Sequence, residues 1–373
     1  MIHRRKIKAV EDARKLDRID WLEGLGKEAT AADEAGDIKE LHRIRRILQG
    51  KSTAFSNTKP QNITENGITR PFTDDAERIE HCACFCESKF AEPPDSNPLP
   101  DIGSASSRLD DPDTAVTREE FEFALRTLAE TKAAGWDDVV AEQYKYCAAA
   151  ADELFEIMGE IWRQEVVPAE MTKGVIVMIY KNKGSADDWA KYRTICLLPH
   201  ALKVMSTILL RRVVIEIEDY LPEHQAAYRK GRSCRDNVYI LAQLIDEAIT
   251  ATNERRPSDS AFQPTITFLD YVAAFDSVSH SFLDYSLHAA GCSAKSIAMC
   301  RAMYANATAC VRGENGNSRT FPVKRGVLQG EVFSATAFVL AVQTICLAVD
   351  ERSSEDGLPL GLHGVCYRDE AGE

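Results

Sequence analysis

One apolar run constrains this chain more than any other feature: Gly174-Val-Ile-Val-Met-Ile-Tyr180. It carries no charge and lies between Pro168 and the turn Lys181-Asn182-Lys183-Gly184, so it reads as a strand buried within a sheet. Such a strand needs hydrogen-bonded neighbours and apolar cover. Helical patterns on either side can provide the cover. Thr117 with Glu120 forms a capping box that opens a helix over Arg118–Lys132. Asp152–Glu165 reads as a helix stopped before Pro168. Further helices are expected near 199–219 and 234–252, over Phe282–Ala290 and, long and apolar, over Glu331–Glu351. More strands are expected at Thr265–Asp270 and Leu362–Tyr367, with a hairpin of Thr308–Arg312 and Arg319–Val323 across Glu314-Asn315-Gly316-Asn317. The expected fold class is therefore α/β.

Upstream, residues 11–50 show two helical patterns, and 51–70 are polar, ending in the turn-prone Glu65-Asn66-Gly67. Thr73, Asp74 and Asp75 then lead into a capped helix reaching Phe90. This predicts a helical N-terminal region over 1–90, a linker rich in Pro, Asp and Ser over 91–114, and the main body over 115–373. No internal repeat is present. The opening MIHRRKIKAVEDARK has no apolar core of a signal peptide, and no run approaches the roughly 18 apolar residues of a membrane span. Eleven scattered cysteines without a secretory signal predict reduced thiols inside the cell.

The formal net charge of -13 argues against a nucleic-acid partner until its distribution is read. Residues 171–235 are about +6, whereas 52–170 are about -15 and 236–373 about -7. A solvated charged face and a phosphate-facing surface both fit the basic stretch.

Several apparent motifs dissolve on inspection. Gly50-Lys51-Ser52 resembles the end of a phosphate-binding loop, but the required earlier glycine is Arg45. On a helix, Cys82 and Cys86 share a face while Cys84 points elsewhere, which makes a metal cluster with His81 a poor reading. His280, Asp284 and His288 fall on one helix face, where a solvated stripe is the simpler account. No Gly-x-Ser-x-Gly elbow supports a hydrolase.

The stretch Thr267-Phe-Leu-Asp270-Tyr-Val-Ala-Ala-Phe275-Asp276-Ser-Val278 ends a β-rich run in a carboxylate, where Asp270 can bind a hard cation without entering the core. Asp276 reads as a helper or as a helix cap. About a hundred residues on, Cys366-Tyr367-Arg368-Asp369-Glu370 follows another strand-like run. Two strand-borne carboxylate clusters suit a two-metal site for in-line phosphoryl transfer.

Five motifs, in order, resemble those of the non-LTR retrotransposon reverse transcriptases over roughly 115–373. They are Lys132-Ala-Ala-Gly135-Trp-Asp137 continuing to Glu142; Lys181-Asn-Lys-Gly184 with Lys191-Tyr-Arg193-Thr-Ile-Cys-Leu-Leu198; Gln225 through Asp236; the Asp270 segment; and Gly326-Val-Leu-Gln329-Gly330-Glu331 with the Asp369 segment. The resemblance implies a right-hand polymerase with fingers and palm that performs RNA-templated DNA synthesis. It implies two Mg²⁺ ions, with Mn²⁺ as a substitute, on Asp270, Asp369 and Glu370. It implies triphosphate contacts from Arg193 and Lys181, a sugar gate at Phe275, and a nucleotide-facing loop at Gln329 and Gly330. RNA template, DNA primer and dNTP are the implied partners, with no membrane, and the implied location is nuclear.

The departures from the family pattern are Thr194 for Pro, Ala227-Tyr228 for Gly-Phe, Glu331 for Asp, Ala335 for Pro, and Tyr367-Arg368-Asp369-Glu370 for Tyr-Ala-Asp-Asp. With the sequence closing at Glu373, the thumb is expected to be absent. A catalytically weak or inactive remnant, and a module that only binds nucleic acid, are the rival readings.

Overall fold

A computed structural model describes residues 24, 26–37, 40, 41, 44, 59–65, 68–92, 115–254, 268–327 and 330–355. The chain divides into two compact units. In the smaller, N-terminal one, residues 26–34 are helical. The larger runs from Thr58 to Tyr367.

The larger unit opens with a hairpin, β1 (Asn62–Glu65) and β2 (Ile68–Pro71), then α1 (Asp75–Lys89). The helices α2 (Arg118–Thr127), α3 (Ala141–Tyr146) and α4 (Ala148–Gln164) precede β3 (Lys173–Tyr180) and β4 (Tyr192–Leu197). Next come α5 (His200–Glu216), α6 (Cys234–Glu254), the single turn α7 (Ala274–Ser277), α8 (His280–Ala289) and α9 (Ala294–Ala305). A further hairpin, β5 (Thr308–Val311) with β6 (Phe321–Pro322), and α10 (Ser334–Glu355) follow.

The expected buried strand is β3, and it lies inside a four-stranded sheet of order β4-β3-β5-β6. Val175 and Ile176 are fully enclosed. β3 runs antiparallel to β4 and parallel to β5, with Ile176 opposite both Cys196 and Val311. The parallel pairing requires a long crossover, which α5 to α9 supply. Helix α2 starts with the anticipated capping box, and Arg212 of α5 grips Glu120 with two hydrogen bonds of 2.7 Å while lying over the Trp162 ring. A bidentate pair of this kind fixes orientation as well as distance.

Several expectations need correction. Helix α2 ends at Thr127 rather than Lys132, because Leu128 leaves the helical conformation (ψ 126°), and Thr131 beyond it is left-handed and donates its N–H to Glu142. The β1–β2 hairpin lies inside the region read as helical. Its polar strands show no apolar alternation, and Asp187 holds its start by accepting from Gln61 and Asn62. Helix α9 was not anticipated, since it is buried nearly all round and shows no amphipathic stripe. Phe268–Asp270 form no strand: a strand needs a hydrogen-bonded neighbour, and no described strand runs beside them. Residues 265–267 and 362–367 lie outside the described residues. Glu331 stands before the long helix instead of within it.

Candidate active site

The β3–β4 hairpin places the two basic candidates. Arg193 pairs with Ile179, and Lys181 N–H bonds the Lys191 carbonyl at 2.9 Å, extending the ladder by one step. With a side-chain period of two, Lys181 and Arg193 fall on the same face of the hairpin. The opposite face is apolar and buried, with the Tyr180 and Tyr192 rings 5.2 Å apart and Thr194 and Cys196 enclosed.

Asp270 stands on the approach to α7 and Phe275 within it. Asp270 is exposed and makes no hydrogen bond or ion pair among the described residues. An exposed carboxylate without a protein partner has the chemistry to take a hard cation. Ala273 adopts a left-handed conformation (φ 51°) and turns the chain into α7. The turn leaves Phe275 half-buried, stacked on Phe338 at 4.9 Å and met edge-on by the exposed Tyr228 at 6.4 Å. Asp276 points inward, and its carboxylate meets Lys89 at 2.7 Å. It is therefore an ion-pairing residue and not the cap of α7, which is Ala273.

Residues 324–327 and 330–331 join these parts. Gly326 N–H bonds the Val278 carbonyl at 2.7 Å and Val327 N–H bonds the Phe275 carbonyl at 2.9 Å, so the loop is sewn to α7. Gly326 has φ +89°, and a Cβ there would stand 3.0 Å from the Asp276 backbone. Gly330 has φ +121°, and a Cβ would collide with the Cys196 carbonyl of β4. Only glycine fits both the conformation and the approach. The half-buried His280 ring donates to the Gly326 carbonyl at 3.1 Å. Phe275, Gly330 and the strand bearing Arg193 are thus brought together from three separate stretches of sequence.

Glu331 anchors the loop's far end. Its carboxylate accepts from Phe333 N–H at 2.8 Å, from the Ser334 hydroxyl at 2.9 Å and from the Ser206 hydroxyl of α5. Burial raises its pKa to about 7, against the lowering effect of these hydrogen bonds. Beside Gly330 a cleft of about 710 Å³ opens between α2 and α5, lined by Lys132, Lys203 and Arg211 among apolar side chains.

Gln329, Asp369 and Glu370 lie outside the described residues. Among the described residues no group of three or more His, Cys, Asp or Glu is placed to hold a metal. His81 accepts from Trp189 Nε1 at 2.9 Å, while Cys82 and Cys86 are buried. Asp284 pairs with Arg301. The sequence reading passed over Lys89, and it noted Thr194, Tyr228 and Glu331 only as departures. Nothing in a lysine on an amphipathic helix signals its distant partner.

The family model described as reverse transcriptase (RNA-dependent DNA polymerase) matches residues 179–371, just over half of the 373. A 149 kDa protein of transposon TX1 from Xenopus laevis is 24% identical over 237 residues, covering 63% of this chain and 17% of that protein. The probable RNA-directed DNA polymerase of transposon X-element from Drosophila melanogaster is 31% identical over 126 residues, or 33% of this chain and 13% of the relative. The Pol polyprotein of type-1 retrotransposable element R2 from Bradysia coprophila is 28% identical over 204 residues, or 55% and 22%. The chain spans less than a quarter of the length of each of these relatives. Family match, motif order and the joining of three motif segments in one place agree: the chain belongs to the reverse transcriptase (RNA-dependent DNA polymerase) family and carries a domain of the non-LTR retrotransposon type.

Proposed function

We propose that this chain acts as the fingers and palm of an RNA-directed DNA polymerase, transferring a nucleotide from dNTP to the 3′-hydroxyl of a DNA primer on an RNA template. The observation that carries this reading is the pair of contacts by which Val327 is bonded to Phe275 of α7 and Gly330 lies against Cys196 of β4, the strand that bears Arg193. Arg193 and Lys181, sharing a face, would neutralise the triphosphate. Phe275, braced by Phe338 and Tyr228, would stand where a 2′-hydroxyl would lie. The cationic cleft at Lys132, Lys203 and Arg211 suits a nucleic-acid backbone. The working unit extends upstream of the family match, because α2 is locked to α5 through Glu120 and Arg212.

Asp270, together with Asp369 and Glu370, would hold the divalent ions, two Mg²⁺ on this reading. Bound there, such ions activate the attacking hydroxyl and stabilise the leaving pyrophosphate. The chain's own part is to orient primer, sugar and triphosphate so that attack is in line.

Primer extension on an RNA template, with Mg²⁺ or Mn²⁺, tests the proposal. Template-dependent incorporation that EDTA abolishes is the expected result. Salt-sensitive binding of an RNA/DNA hybrid with no incorporation under either metal would overturn the polymerase reading.

A further inference from the structure

We infer that Lys89, on α1 and outside the stretch matched by the family model, is a positioning residue of the nucleotide site. The inference rests on the function proposed above. The Lys89 ammonium lies 2.7 Å from Asp276 Oδ2 and donates to the Thr194 hydroxyl at 3.2 Å. Its side chain is 20% exposed and that of Asp276 7%. Arg193 immediately precedes Thr194, and Phe275 immediately precedes Asp276. One half-buried ammonium therefore ties the strand that carries the phosphate-facing cation to the turn that carries the sugar-facing ring.

The rest of α1 makes the tie rigid. Phe90, the residue that closes the helix, accepts from Lys324 N–H at 3.0 Å, which adds the start of loop 324–331 to the same anchor. Earlier in the helix, Asp75 accepts from Glu314 N–H at 2.8 Å, and Glu80 and Glu87 both pair with Arg319. His81 accepts from Trp189, just before β4. Lys89 thus projects from a helix fastened to both hairpins of the sheet. The departure at position 194 fits the arrangement. Proline, the residue of the resembled motif, would offer Lys89 no hydroxyl and would also lack the N–H of a strand residue.

The chemistry favours a bridge over a simple ion pair. An ammonium has three donors on a compact point charge, so it can serve a carboxylate and a hydroxyl at once. Asp276, taken out of water, needs that positive charge. Losing it would remove the side-chain tie between the α7 turn and β4 and loosen the spacing of Phe275 and Arg193, leaving the backbone bonds of 326–327 and the β3–β4 ladder to hold each part.

The test uses the full chain with Lys89→Met, Lys89→Arg and Thr194→Val. It reads dNTP KM and kcat in primer extension, melting temperature, and hydrogen exchange at 192–197 and 274–278. Lys89→Met should raise KM about tenfold or more with a smaller change in kcat, and should speed exchange in both segments. Lys89→Arg should restore KM to within about twofold of the parent, since it keeps the charge and the donors. Thr194→Val removes one arm of the bridge and should raise KM about two- to fivefold with the melting temperature held. It also serves if Lys89→Met does not fold. A fall in melting temperature with KM unchanged, faster exchange confined to one segment, Lys89→Arg behaving as Lys89→Met, or an inert Thr194→Val would each overturn the inference. If the parent chain incorporates nothing, the polymerase reading fails by itself. Hydrogen exchange then decides: joint loosening of the two segments upholds the bridge, and loosening of one alone overturns it.

Discussion

Asp270 and Asp276 stand six residues apart in one motif, yet the fold treats them as opposites. Asp270 faces solvent without a protein partner among the described residues, whereas Asp276 is buried and neutralised by Lys89. A carboxylate withdrawn from water must be compensated, so its contribution goes into the fold. One left in water stays available to a ligand. Glu331 adds a third case, because it is buried against hydroxyls and N–H groups rather than in an ion pair.

The contrast is broken most severely at the exposed end. Asp270→Asn should cut nucleotide incorporation by about a thousandfold or more if the carboxylate holds a metal, while leaving the melting curve in place. Single-turnover extension and thermal denaturation read the two effects. A loss of fold without a specific loss of chemistry would make Asp270 a structural residue like its neighbour.

At the buried end the expectation reverses. Asp276→Ala strips the half-buried Lys89 ammonium of its counter-charge and leaves it the Thr194 hydroxyl, at a cost of roughly 3–5 kcal/mol. Urea denaturation of the two variants side by side gives the sharpest comparison. A destabilisation no greater than that of Asp270→Asn would mean that water, and not Asp276, satisfies Lys89.

Glu331 gives a pH signature. Its folded pKa, raised by burial to about 7 from a usual value of 4.5, means that the protein's stability from this group is fully present below about pH 4.5 and lost as pH rises through 7. The shift corresponds to about 3 kcal/mol. Lys203 of α5 and the Tyr304 and Cys300 side chains of α9 are the titratable groups in electrostatic contact with it. Denaturation at pH 5 and pH 8 should show a fall in stability that Glu331→Gln removes. An equal fall in the variant would place the titration elsewhere.

Phe275→Val is the mildest of the set. It gives up the stack on Phe338 and the edge contact with Tyr228, about 1–2 kcal/mol in all. In an active chain it should also relax discrimination against ribonucleotides, measured as the ratio of kcat/KM for dNTP and rNTP. Unchanged discrimination with lowered stability would reduce Phe275 to a packing residue.

Much of this molecule was legible because its signals are local. The uncharged run of β3, the capping box at Thr117 and Glu120, and the hairpin around Asn315-Gly316 are each specified within a few residues, where periodicity and backbone chemistry act. The motif order pointed to the family for the same reason: each motif is a short run readable in place. The tertiary structure decided what no short window holds. Lys89 finds Thr194 across 105 residues, Glu331 finds Ser206 across 125, and Gly330 is required by a carbonyl on a strand far upstream. Helix α9 and the polar β1–β2 hairpin escaped notice because burial on all sides, in one, and an outside anchor at Asp187, in the other, replace the pattern that sequence displays. Residue type determined which groups could carry charge. Only burial and partners, which depend on chains of contacts closing in space, determined which aspartate would be held by the fold and which would be left in water.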